Sequence, residues 1–90
     1  MSDLDLLNQY MRENREEAFE ALVDRHLKLV YSAALRQARS PELAEEVAQS
    51  VFSDLARSAK RLEPKTILTA WLYQVTRRTA INVVRGESRR

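Results

Sequence analysis

Arg77, Arg78 and Arg85 lie in the stretch WLYQVTRRTAINVVR, and from Pro64 to Gly86 the chain has no Asp or Glu. An exposed helix usually offsets its bases with acids one turn away, at a gain of about 0.2–0.5 kcal/mol per pair. No such partner exists within this segment, so each guanidinium keeps its charge and its fork of donors. Trp71 and Tyr73 precede the first two arginines by less than two turns, and Lys60, Arg61 and Lys65 come before the aromatics. Cations that follow phosphates, beside aromatic planes that receive unstacked bases, are what holding single-stranded nucleic acid requires. The plain alternative is a solubilising face with Trp71 as an ordinary core residue.

Other reactive residue types point nowhere in particular. Glu42, Glu45 and Glu46 crowd the start of a helical pattern, where acids favour the positive end of the helix dipole by about 0.3–1 kcal/mol each. Three carboxylates in one turn without further ligands make a poor metal site. The one histidine, His26, lies beside an apolar stripe, and no constellation of partnered nucleophile, orienter or further metal ligands is visible in the sequence, so it reads as structural or surface. There is no cysteine, which excludes disulfides and thiolate metal sites and agrees with a reducing, cytoplasmic setting. No catalytic set, metal site, cofactor motif or small-molecule substrate site is expected.

The elements that must position these residues are helices. One Gly and two Pro in ninety residues, with no alternating apolar runs, predict long helices and short loops. A first helix is expected over about 3–13, with Ser2 or Asp3 as cap and Leu4, Leu7 and Met11 on one face. A second covers about 15–38, with Phe19, Leu22, Val23, Leu27, Val30, Tyr31, Ala34, Leu35 and Ala38 turned inward. A third runs over about 41–59, capped by Ser40 with Pro41 in the first turn, burying Leu43, Val47, Val51, Phe52 and Leu55. A fourth begins between Pro64 and Leu68, nominally at 66, and ends near Arg85, with Gly86 suited to a left-handed cap. Its inward stripe is Leu68, Leu72, Val75, Thr79 and Val83, with Trp71 alongside. Gln74, Arg77, Arg78, Ile81 and Arg85 fall on the other side. The expected fold is all-α, a single compact bundle of four helices over 1–90.

Bulk properties agree. Hydrophobic residues at 44% and charged residues at 31% fit a folded chain rather than a disordered one. No stretch reaches the roughly 20 apolar residues of a membrane span, and the acidic N-terminus is no signal peptide. The net charge of +2 conceals a division. Residues 1–60 carry eight Lys/Arg against eleven Asp/Glu, and residues 61–90 carry seven against two. A basic back half is a candidate polyanion footprint.

The order AFEALVDRHLKLVYSAALR, SPELAEEVAQSVF, AWLYQVTRRTAINVVR resembles region 2 of bacterial sigma-70 family factors, of the extracytoplasmic-function type, over about residues 15–88. The resemblance implies a transcription initiation factor domain rather than an enzyme. It implies that the segment Pro41 to Phe52 docks on the β′ clamp helices of core RNA polymerase, with Glu42, Glu46 and Gln49 on the polar contact positions. The segment Lys60 to Arg85 would melt the promoter −10 element and read its non-template strand. Lys60, Arg61, Lys65 and Thr66 would act from the loop. Trp71, Tyr73, Gln74, Arg77, Arg78 and Arg85 would act from the last helix. An anti-sigma factor is a further partner class that the resemblance allows.

Two positions depart from the family pattern. Many members have Asn where this chain has Arg78, which keeps donors but loses an amide acceptor. Ser50 stands where an acid often follows the glutamine. A whole factor of this type also has a second helical domain that reads the −35 element, which ninety residues cannot hold, so this chain is expected to be one part of such a factor, its RGESRR end lying where a linker would begin. A helical protein-interaction adaptor without DNA melting, and a reader of double-stranded DNA, are the alternatives.

Overall fold

A computed structural model describes the backbone of residues 1–88 and the side chains through Gly86; Arg89 and Arg90, counted above with the basic back half, lie outside the described residues. Four α-helices follow one another: α1 Asp3–Glu13, α2 Glu16–Ala38, α3 Pro41–Ser58 and α4 Leu68–Ser88, with a 3-10 turn over Ala59–Arg61 after α3. The fold is all-α, and no strand occurs among the described residues.

Local chemistry sets the helix starts. Ser2 accepts from the Asp5 N–H at 3.2 Å while the Asp5 carboxylate accepts from the Ser2 N–H at 3.1 Å, a reciprocal box that satisfies two groups at once. Ser40 caps α3 by accepting from the Leu43 N–H at 3.4 Å, with Pro41 in the first turn. The first two helices end on residues in the left-handed region, Asn14 at φ 53° and Arg39 at φ 56°. Asn tolerates that conformation readily, whereas Arg pays a steric cost on the order of 1 kcal/mol. At Arg39 the backbone N–H donates to the Leu35 carbonyl at 2.8 Å, closing the last turn.

The central helix is α2, which packs against α1, α3 and α4. Leu7, Leu22, Val30, Val47, Val51, Leu55 and Leu72 are its fully enclosed neighbours and members, each contributing about 1.5–3 kcal/mol of transfer energy. Tyr10 and Phe19 stack at 4.7 Å between centroids, tying α1 to α2 at an aromatic distance. The molecule measures 42 × 21 × 19 Å, a length set by its long helices at 1.5 Å per residue.

Three expectations need correction. Gly86 is no left-handed cap: α4 continues to Ser88, and no described glycine has positive φ. Leu27 points outward at 44% exposure while His26 is buried at 8%. The buried line of α2 steps from Leu22 through His26 to Val30 at four-residue intervals, and Leu27 lies about 100° round the helix from it. In α4 the core includes Thr76 and Ala80, while Thr79 and Val83 are only half-buried. Thr76 can be enclosed because its hydroxyl donates to the Leu72 carbonyl at 2.6 Å, so no polar atom is left orphaned.

His26 is buried where α1 meets α2. Its Nε2 lies 3.0 Å from Asp3 Oδ1, though out of line for an aligned hydrogen bond, and Arg25 Nη1 donates to the same oxygen at 2.9 Å. Burial works to raise the Asp3 carboxyl, but the His26 and Arg25 contacts outweigh it and hold the group below its ordinary value. This clasp fastens the first turn of α1 to the middle of α2.

Candidate nucleic-acid interface

Helix arithmetic places the basic residues of α4 before any contact is considered. At about 100° per residue, Gln74, Arg77, Arg78, Ile81 and Arg85 fall within a ~100° sector opposite the Leu72 line. In the structure Gln74, Arg77, Arg78 and Arg85 are exposed, and they line one shallow cavity of ≈ 350 Å³ together with Ile81 and Asn82. Its rim is polar and cationic, and Ile81 supplies an apolar patch in the middle.

The guanidiniums of this face are unneutralised. Among the described residues, ion pairs form at Arg15 with Glu13, Arg25 and His26 with Asp3, and Arg57 with Asp54. None involves Lys60, Arg61, Lys65, Arg77, Arg78 or Arg85. Arg15, Arg25 and Arg57 have an acid within reach because acids stand close in sequence or across α1–α2, whereas Arg12, Arg36 and Arg39 form no ion pair among the described residues. From Pro64 to Gly86 the sequence provides none, and among the described residues no acid from another helix pairs with them.

The aromatics are separated. Trp71 and Tyr73 lie about 160° apart round the helix, so they flank the cationic sector from opposite sides. Trp71 is half-buried against the core, whereas Tyr73 is 44% exposed. Neither lines the arginine cavity. Lys60 and Arg61 stand exposed on the 3-10 turn, and Lys65 is exposed in the turn that the Thr66 N–H closes by donating to the Glu63 carbonyl at 2.9 Å. Lys60 lines a different crevice, with Tyr10, Asn14 and Arg57, between the end of α1 and the end of α3. The loop cations therefore precede the helix face in the chain and do not line its cavity.

On α3, Glu42, Glu46 and Gln49 are exposed and follow at four- and three-residue steps, which puts them on one side of the helix. Glu42 is also part of the cap. Its own backbone N–H and then the Ser40 hydroxyl, donating at 3.0 Å, hold its carboxyl below the ordinary value. Gln49 and Glu45 border an open groove of ≈ 730 Å³ between α2 and α3, floored by Val23, Leu27, Tyr31 and Phe52. The sequence reading missed this groove because it assigned Leu27 to the core. It also passed over Asn82, whose only signal was its place four residues after Arg78. Among the described residues no cluster of three or more His, Asp or Glu could hold a metal, and no helix is long and apolar enough to cross a membrane.

Comparison with known proteins shows the family. The family model for Sigma-70 region 2 matches residues 22–90. An ECF RNA polymerase sigma factor SigK from Mycobacterium sp. (strain KMS) is 37% identical over 87 residues, covering 96% of this chain and 45% of the relative. An RNA polymerase sigma factor CarQ from Myxococcus xanthus is 34% identical over 76 residues, covering 84% of this chain and 44% of the relative. The chain thus spans about half the length of the curated relatives it matches. No solved structure matches it. The chain belongs to the sigma-70 region 2 family, with relatives of the extracytoplasmic-function type.

Proposed function

We propose that this domain works in transcription initiation, not as an enzyme, by holding the promoter −10 element as its strands separate while docked on core RNA polymerase in the bacterial cytoplasm. The observation that carries the reading is the unneutralised cationic face of α4 in a chain of this family. Arg77, Arg78 and Arg85 follow the phosphates of the non-template strand, and Lys60, Arg61, Lys65 and Thr66 continue the track from the preceding turn. Unstacking a duplex costs a few kcal/mol per step, which aromatic stacking at about 1–3 kcal/mol per base and phosphate contacts together offset. Tyr73, exposed at 44%, is free to stack, and Trp71 offers the edge left uncovered by the core. Gln74 presents an amide between them.

Docking on the polymerase β′ clamp helices falls to Glu42, Glu46 and Gln49. Their side of α3 carries acids and an amide, while Val47 and Val51 hold the opposite side in the core, so a basic partner helix is met without disturbing the fold. An anti-sigma factor remains a partner class that the family reading allows.

Strand preference tests the proposal. Fluorescence anisotropy should show tighter binding of a single-stranded non-template −10 oligonucleotide than of its duplex, with affinity falling steeply as salt rises. Equal or better affinity for arbitrary duplex would instead identify a double-strand reader. Binding to the clamp helices with no DNA binding at all would identify an adaptor.

A further inference from the structure

We infer that the cavity between α1 and the loop before α4 is a binding site for a guanine base, carried by a free nucleotide or by a single strand. It measures ≈ 270 Å³, below the roughly 300–1,000 Å³ of drug-sized ligand sites and suited to one flat ring system. One wall is α1, which supplies Leu4, Leu7 and Met11; the other supplies Leu62 and Pro64, and the buried Ala59 completes the apolar lining. Such a slot takes a planar ring by its faces, and a thioether such as Met11 adds a favourable contact with an aromatic edge.

Asn8, Arg12 and Glu63 line the same cavity, and all three are exposed. The protein does not use them itself. Among the described residues Arg12 and Glu63 form no ion pair, and none of the three side chains makes a hydrogen bond. A cation and a carboxylate lining one cavity from two elements would ordinarily close on each other. Here they stand apart, leaving a fork of donors on α1 and two acceptor oxygens on the loop. Arg12 suits the last turn of α1 through the helix dipole, but that explains nothing about Glu63, which belongs to no helix. The loop is fixed at that point, since the Thr66 N–H donates to the Glu63 carbonyl at 2.9 Å.

Guanine matches that pair of groups. It carries two acceptors, O6 and N7, on one edge and the N1 and N2 donors on the next, and an unpaired base exposes both edges. The Arg12 fork meets O6 and N7, and the Glu63 carboxylate accepts from N1 and N2. Adenine sets a donor beside N7 and an acceptor at N1, so it offers each group one wrong partner. Cytosine has a single amino donor. A phosphate has its own place: the adjoining crevice shares Met11 and Ala59 with this cavity and is lined by Lys60, which forms no ion pair among the described residues.

The experiment is an NMR titration of the ninety-residue chain with guanosine and adenosine 5′-monophosphates, and with oligo-dT carrying one central dG or dA. The guanine form should shift the backbone amides of Asn8, Arg12 and Glu63 and bind on the order of tenfold tighter than the adenine form. Inosine monophosphate, which lacks the 2-amino group, and 7-deaza-guanosine monophosphate, which lacks the N7 acceptor, should each lose most of that preference. Glu63→Gln should abolish it with an unchanged thermal melt. So should Arg12→Lys, which keeps the charge at the helix end but not the fork. A guanine preference in the oligonucleotides alone assigns the site to a strand, and one in the mononucleotides alone assigns it to a free nucleotide. Equal binding of guanine and adenine in both arms would overturn the inference, as would a guanine preference that survives both substitutions. Absence of all single-strand binding beside an intact mononucleotide preference would remove the proposed function of α4 and leave this site standing.

Discussion

At the scale of single residues, Asp3 does more than open a helix. One oxygen holds Arg25 and touches His26, so the carboxylate joins α1 to α2. Its folded carboxyl sits below the ordinary 3.8. A group shifted down stabilises the fold fully above its unfolded value and loses that contribution as pH falls through the folded one. Asp3→Asn should therefore lower stability by about 1 kcal/mol at pH 7, by loss of a partly exposed pair and of an acid at a helix start. Urea denaturation of both proteins should show the difference shrinking as pH drops below ordinary carboxylate values. The sequence could not reveal this contact, because Asp3 and His26 are joined only by the packing of α1 on α2. The structural place of His26 rests on its burial and on this contact. Trp71 and Tyr73 show the reverse case. Counting alone separates them on the helix, but only packing decides that Trp71 is the one half-buried.

At the scale of elements, helix order and starts were legible because Ser2, Ser40 and Pro41 satisfy or suit first turns through contacts within four residues. Ends were less legible. The two left-handed caps fall on Asn14 and Arg39, and the one glycine, the residue best suited to such a cap, lies inside a helix instead. Gly86 in that setting is a weakness rather than a device. A Cβ at that position would meet nothing within 4 Å, so Gly86→Ala should stabilise the chain by about 0.5–1 kcal/mol. Thermal melts would then show a rise of a few degrees for a domain of this size. A fall in melting temperature would mean that the residue adopts the left-handed cap after all. The inward stripe of α4 was read from residue character, which passes over Thr76, whose hydroxyl is satisfied by its own helix, and Ala80, which is too small to stand out.

At the scale of the whole molecule, charge is sorted by element. Acids gather at the start of α3, whereas the stretch from Pro64 to Gly86 carries bases without acids. The sorting was visible in the sequence. That α4 pairs with no glutamate from another helix was not, since either of the helices packed against it, α2 and α3, could have supplied one. In the structure those guanidiniums stay exposed and unpaired among the described residues, at no cost to a core that lies on the other side of the helix. Reversing them should then cost little stability and much DNA binding. The decisive measurement is binding of the single-stranded −10 oligonucleotide by the Arg77→Glu, Arg78→Glu double variant, beside its thermal melt. Phosphate-gripping arginines predict a wild-type melt and affinity lowered at least tenfold, with a shallower salt slope. Unchanged DNA affinity, or a variant that unfolds, would contradict the claim that this face is kept bare of acids in order to hold DNA.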